Sequence, residues 1–497
     1  MARVLTNFSG FALAVEDDVG ELPVSPSWRT LEPNTVGKAT AETTTVARKP
    51  ISLNRQRRKG VVTDRDSAWE AELDATREHL LALLPPTMYS VWIGPRYYVC
   101  TGVTGTGYTV DANGDLAQNT LIVPTGFRTP GNNSPESFKV VGAGSIATEI
   151  KTAGLTAEVI PAVGSQNALV EVAGRRCASG DIEIDANSDL VSTLLDFTTL
   201  RLQTGQFLGI GNPNDATHRF AIAANSGYVR ILTVAAHKIT FDKALTTFVE
   251  DDGAGKTIDL FFGRWMRNVA VGTSDYDEQS LCVETTLTDL GGVGTPKYVY
   301  SRGNIVNEAT LNFPGQAKAT MSLALVGLDT DDPVTVQETN ADTPMRPVQV
   351  EAFSTASDFS RLRVTEIDET GVTSDLKDLT LTFGNNVSPE KTLNHLGGRY
   401  MNVGTFDVMG ELNAILTDSA VMEAVRDNRL MTMEVGILND DGGFIFDFPS
   451  ITLGNGVLDF QPDQSVNIPL KLDAVQDATF GYTMSVSCFP YAPVGGN

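Results

Sequence analysis

Two-residue alternation of apolar with small or polar side chains recurs along this chain, and it confines the fold to β architectures, because only an extended strand turns successive side chains to opposite faces. Val61, Thr63, Arg65, Ser67, Trp69, Ala71 and Leu73 share one phase. Ala317, Ala319, Met321, Leu323 and Leu325 repeat it, as do Phe406, Val408, Gly410, Leu412, Ala414 and Leu416. Met431, Met433, Val435 and Ile437 form a further run, and Phe480, Tyr482, Met484, Val486 and Cys488 predict a last strand with one buried face. Two stretches read as helix. Asp74 is the expected cap of a helix over 75–84 that Pro85 and Pro86 stop, and Asp418 that of a helix over 419–427, where Val421, Met422 and Val425 make one apolar stripe. Each follows a long alternating strand, 61–73 or 406–416, so the pattern predicts two copies of a strand-rich module carrying a single helix.

A chain of 497 residues exceeds what one hydrophobic core organises. The texture between the two copies is rich in Gly, Thr, Asn and Ala, with short apolar runs at 121–123, 207–210, 228–234 and 239–241. The resulting division is a first module over 1–99 to which 175–204 returns, a small β insertion over 100–174, a second small β element over 205–255, and a second module over 256–497.

The formal charge of −24 and the 61 acidic against 37 basic residues argue against a protein that grips nucleic acid, since gripping requires Lys and Arg to neutralise phosphates. An acidic wall would instead keep a passing polyanion off the surface; acidity that only maintains solubility is the plainer reading. No apolar run approaches a membrane span, and the first fifteen residues lack a signal-peptide layout. Cys100, Cys177, Cys282 and Cys488 lie far apart and read as buried or reduced thiols, and His79, His218, His237 and His395 sit at no metal-ligand spacing. Neither a cofactor nor a metal is expected.

Gly253-Ala-Gly-Lys-Thr257 imitates the end of a phosphate-binding loop, but Glu250 stands where its first glycine belongs and a strand, not a helix, is predicted to follow over 258–262. It reads as a polar turn. Asp111-x-Asn113-x-Asp115 starts like a calcium loop, yet Leu116 replaces the turn glycine and Ile122 the bidentate glutamate, so it too reads as a turn. No Gly-x-Ser-x-Gly elbow or His-Glu-x-x-His pair is present. One cluster stands out: Arg48, Lys49, Arg55, Arg57, Arg58 and Lys59 concentrate positive charge in a short extended loop or hairpin of an acidic chain. Such an arm could bind nucleic acid, reach an acidic face of an identical neighbour, or simply be solvated; attraction to a neighbour fits the acidity of the rest best.

Pro26-Ser-Trp28-Arg-Thr-Leu-Glu-Pro33-Asn34, then 46–51 and 54–64 with Gly60 and Asp64, resemble the tail tube proteins of phages with long non-contractile tails. The resemblance continues at Lys256-Thr-Ile-Asp-Leu-Phe261-Phe262-Gly263-Arg264 with Arg267-Asn268, and at Leu381-Thr-Phe-Gly-Asn385-Asn386 with Leu396-Gly397-Gly398 and Val403-Gly404. It implies a mainly β fold of two sandwich modules, each with a flanking helix, lending strands to a barrel shared between subunits, with small all-β insertions. Two modules per chain imply trimeric rings with pseudo-sixfold symmetry, hexameric rings being the alternative. Four strands from each of six modules would close a 24-stranded barrel roughly 50 Å across, leaving a bore of about 40 Å, wide enough for a DNA duplex of roughly 20 Å.

The expected function is therefore a non-enzymatic structural subunit of a virion tail, stacked around an acidic DNA channel, with copies of itself, other tail proteins and DNA in transit as partners and assembly in the host cytoplasm. A virion decoration or host-adhesion protein is the alternative. A hydrolase using paired carboxylates has no motif behind it.

Overall fold

The computed structural model describes residues 9–492 except 25, 52, 54–55, 57, 96, 112–113, 135–136, 161–167, 244–247, 289–295, 339–350, 365–375, 417–419, 440–441, 461 and 464. The chain is mainly β. Among the described residues one sheet holds 17 strands, a second holds 13, and two strands form a separate ribbon.

Eight antiparallel strands of the larger sheet lie side by side in the order Pro33–Lys38, Arg58–Asp74, Thr320–Gly327, Lys297–Pro314, Leu376–Gly384, Asp407–Ile415, Asn467–Ala474 and Gly442–Asn455. The first four and the last four are two copies of one arrangement. In each, the second strand leads into a helix, Arg77–Met88 or Ala420–Arg426, and the third and fourth strands form a hairpin. The fourth strand then turns to a back layer. Leu281–Leu287 pairs with Lys297–Pro314 and with Ser9–Val15 in the first copy, and Met431–Asn439 pairs with Gly442–Asn455 and with Phe359–Val364 in the second. Segment 281–327 thus belongs with the N-terminal strands, whereas the expected boundary at 256 assigns it to the C-terminal module; alternation fixes where strands lie but carries no information on which distant strand they pair with.

Register aligns the alternation of seven of these strands, Arg58–Asp74 through Gly442–Asn455, while Pro33–Lys38 meets its neighbour with two register shifts. Leu73, Met321, Leu311, Leu381, Gly410, Leu472 and Leu453 stand opposite one another on the inner face, and their neighbours Glu72, Ser322, Thr310, Thr382, Met409, Asp473 and Thr452 on the other. The inner row is buried beneath the first helix, whose Leu80, Leu83 and Leu84 join the same cluster. Burial of such side chains contributes about 1.5–3 kcal/mol each before entropy is charged against it.

The first helix departs from expectation at both ends. Thr76, not Asp74, caps it, its hydroxyl accepting from the His79 amide at 3.1 Å. The helix also runs through Pro85 and Pro86 to Met88. Pro85 has no amide hydrogen to offer the Leu81 carbonyl, and the Trp92 indole supplies the missing donor at 3.1 Å. Asp418 and Ser419, the expected start of the second helix, lie outside the described residues. The last strand is shorter than predicted, Ser485–Phe489, because Asp477 captures the Thr479 and Phe480 amides in a turn and Gly481 takes a positive φ. Both of its faces are buried, Ser485 and Ser487 as fully as Val486 and Cys488.

All thirteen strands of the second sheet fall in 97–261, between the first helix and Trp265–Arg267. They enclose a core of their own, including Tyr108, Ile122, Val170, Leu190, Phe197, Phe241 and Leu260. The separate elements expected over 100–174 and 205–255 are therefore one body. Segment 175–204 does not return to the first module: Ile182–Ile184 pairs with Leu190–Ser192, which pairs with Lys238–Phe241, because Ile182, Ile184 and Leu190 find their apolar partners in this core. In the second copy the helix reaches the next strand through 427–430 alone. The body is thus an insert, and its ends meet: Ile93 and Trp265 exchange two backbone hydrogen bonds of 2.7 Å.

Candidate functional site

The outward row of the eight strands is short and polar or acidic. Glu70, Glu72, Asp74, Glu308, Asp378, Asp407, Glu411 and Asp473 share this face with Ser322, Thr310, Thr380, Thr382 and Asn312. Its cations are engaged by neighbouring carboxylates. Lys38 lies 2.7 Å from Glu70, Lys318 2.5 Å from Asp74, and Lys471 3.6 Å from Glu411. Eight carboxylates against these three lysines leave this face net negative.

The basic segment is the tip of a hairpin in which Glu42–Arg48 pairs with the first part of Arg58–Asp74, Arg48 opposite Arg58. Arg48, Lys49, Arg58 and Lys59 are exposed and make no ion pair among the described residues; Arg55 and Arg57 lie outside those residues. Ile51 and Leu53 are fully exposed beside them. Gly60 is where the two strands come closest, since a Cβ there would lie 2.9 Å from the Val46 carbonyl.

The equivalent connection in the second copy, 385–404, is folded down. Lys391 lies 2.5 Å from both Asp64 and Asp66 at the base of the arm. Gly397, at φ 90°, passes so near the Leu328 carbonyl that a Cβ would sit 2.8 Å from it. Asn385 is buried and donates to the Thr87 and Val306 carbonyls, both at 2.9 Å, tying the first helix to the sheet; Asn386, left-handed at φ 51°, donates to Thr405 and Asp407.

The other sequence-marked residues are joints too. Trp28 stacks on Tyr300 at 5.8 Å, and its indole donates to the Glu338 carbonyl at 2.7 Å. Pro33 pairs with Leu73, and Asn34 donates to Asp74 at 2.5 Å. Phe261 and Phe262 are buried where the insert returns, and Gly263 is pressed against the Cys488 carbonyl, which a Cβ would meet at 2.0 Å. Arg264 pairs with Glu171 and lies over the Tyr97 ring; Arg267 lies over Trp265; the Asn268 side chain accepts the Thr483 and Met484 amides, both at 2.9 Å.

Sequence reasoning missed two buried charge nodes that bind the insert to the main sheet. Arg230 of the insert lies 2.7 Å from Asp447 and also pairs with Asp242, while the Tyr482 hydroxyl donates to Asp447 at 3.3 Å. Burial pushes the Asp447 carboxyl up to about 7, with Arg230 opposing the shift. In the second node Arg77 of the first helix, 2.8 Å from Glu171, and Arg264 hold that carboxylate from two sides; burial raises it, but the two guanidinium groups bring it below its ordinary value. A lone Asp within Gly443-Phe-Ile-Phe-Asp-Phe448, and a lone Glu within Leu169-Val-Glu-Val172, are the signals that could have found them: a charge inside an apolar strand needs a buried partner.

Gly253-Ala-Gly-Lys-Thr257 is a turn as expected. Asp251 and Asp252 accept the Gly253 and Ala254 amides, and the Lys256 ammonium donates to the Ala216 carbonyl. Of the calcium-like motif, Ala112 and Asn113 lie outside the described residues. The four cysteines are buried free thiols.

A family model described as phage tail tube protein matches residues 6–484. The chain belongs to the phage tail tube protein family. No curated protein matches the sequence. Membership makes the chain a structural component of a virion tail that assembles with other tail proteins. No helix among the described residues is long and apolar enough to cross a membrane.

Proposed function

We propose that three chains close into a ring with pseudo-sixfold symmetry, that rings stack into the tube of a long non-contractile tail, and that the eight-strand face lines a channel through which double-stranded DNA passes without being gripped. The observation that carries this reading is the common register of seven adjacent strands from both copies, with carboxylates and small hydroxyls on one side and the core on the other. Strand Pro33–Lys38 at one end, and residues 452–455 at the other, each keep a free edge for the next subunit, and closure would remove both. Like charge along the wall repels the phosphate backbone and leaves it mobile. The insert is anchored on the helix side of the sheet, through Arg77 and Glu171, so it stands on the tube exterior.

The basic arm then reaches an acidic surface of the next ring, with Ile51 and Leu53 adding apolar contact. Rings form in the host cytoplasm, where the subunit is made. Averaged views down the tube axis test the ring: one insert per chain gives three outer protrusions, and six would replace the trimer by a hexamer. Reversing Arg58 and Lys59 to Glu should leave the subunit folded and shorten or abolish tubes; tubes of unchanged length would refute the docking arm.

A further inference from the structure

Four buried or half-buried arginines at the insert have a carboxylate, while Arg219 donates to the Pro213 carbonyl instead. Arg77 and Arg264 share Glu171, Arg230 has Asp242 and Asp447, and Arg176 holds Asp259 through two hydrogen bonds of 2.8 and 2.9 Å. Arg175, the next residue, does not. Its half-buried guanidinium donates to the Gln118 carbonyl and stands 3.4 Å from the Thr120 hydroxyl, with no carboxylate in ion-pair range among the described residues. Burial lowers its pKa, and the opposing influence comes from the Cys177 thiol and not from a carboxylate. In a chain of net charge −24 an uncompensated, partly desolvated cation is conspicuous, since it costs stability that a bound anion would restore.

Arg175 lines a cavity of about 440 Å³ within the insert, closed by strand Leu169–Arg176, the end of strand Tyr97–Val103 and the turn at Phe197–Leu200. Arg201 also lines it, held by a left-handed backbone at φ 58° as the cap of that turn, exposed and without an ion pair among the described residues. Tyr98, Phe262 and Leu200 supply ring-sized apolar surface, and Asp115, Thr120 and Thr199 supply acceptors and hydroxyls. The volume and the mix of an apolar wall with a few convergent polar groups are those of a small-ligand site. Two guanidiniums select an anion. Thr120 and Thr199 already donate to the Ala117 and Asp196 carbonyls and so offer acceptor lone pairs, as does the Asp115 carboxylate; hydroxyl donors on the ligand would use them, a purely apolar acid would not, and inorganic phosphate would not fill the space.

We infer that this cavity binds an acidic sugar, its carboxylate between Arg175 and Arg201 and its hydroxyls on Asp115, Thr120 and Thr199. This is a recognition function of the insert, separate from tube building.

Ligand-observed NMR titration of the full chain with glucuronate, glucose and inorganic phosphate tests it. Glucuronate should bind saturably, with glucose and phosphate at least about tenfold weaker, the loss expected for one charge-assisted pair. Arg201→Ala, at an exposed position, should keep the melting temperature and weaken glucuronate about tenfold or more, and Arg175→Gln should do the same. Absence of saturable glucuronate binding, equal binding of glucose or phosphate, or undiminished binding by a folded Arg201→Ala protein would each overturn the assignment.

Discussion

The two halves of the main sheet share a strand order and differ almost entirely in what joins the strands. Between first and second strands one copy raises the basic hairpin 42–65, while the other lays 385–404 flat and fastens it with Lys391. Between helix and back-layer strand one copy holds the whole 97–261 body, and the other needs only 427–430. A shared wall requires matched register, so the strands are constrained; connections face away from that requirement and are free to diverge. A ring of identical single modules would repeat every arm and insert six times. A fused pair can assign one job to alternate positions.

The comparison can be broken or sharpened by experiment, most forcefully at the joint between insert and sheet. Arg230→Ala would leave Asp447 buried without its guanidinium and should cost about 3–5 kcal/mol in thermal or denaturant unfolding. A loss under about 1 kcal/mol would mean the insert is only loosely attached. Within the sheet, Leu311 and Leu381 face each other across the seam between the copies. Leu381→Ala should cost about 2–5 kcal/mol and lower a single cooperative transition; two separate transitions would show that the copies fold independently.

A subtler effect is the pH dependence at Asp447. Its folded pKa of about 7 lies above the ordinary 3.8, so between these values the folded state holds a proton that the unfolded state releases. Its contribution is favourable at the acid end and is lost as pH rises to about 7. The stability of the wild type relative to Asp447→Asn should therefore fall across that window. A difference that grows with pH would show Asp447 ionised and paired throughout. Smallest of all, Lys391→Ala should leave the melting temperature unchanged and speed amide exchange in 385–404 toward that of the arm; unchanged exchange would mean that Gly397 and Asn386 alone hold the loop down.

What could be read in the sequence follows from the range of the forces involved. Strand positions were legible because alternation is local: Phe207–Ile210 lies where the pattern placed it, and Asp407–Ile415 within one residue at either end. The helix cap was misplaced by two residues because Asp74 and Thr76 are equally good caps, and Asp74 is drawn instead to Asn34 and Lys318. Two prolines read as a stop because the rescuing donor, Trp92, lies beyond the helix. Module boundaries failed where they depended on pairing across two hundred residues, as for 281–327. The basic tip was visible as composition. The acidic face was not, because its carboxylates come from five separate strands and only register brings them together.

The backbone pair between Ile93 and Trp265 has a practical meaning. It makes the point where the insert leaves the sheet a port whose two posts are already fastened, so whatever is spliced there bears almost no added cost of loop closure. A domain whose own termini lie as close together could replace 97–261, provided that Asp447 and Arg77, which lose Arg230 and Glu171 with the insert, are neutralised as well. The tube subunit would then serve as a carrier, displaying a chosen cargo at regular intervals along a filament.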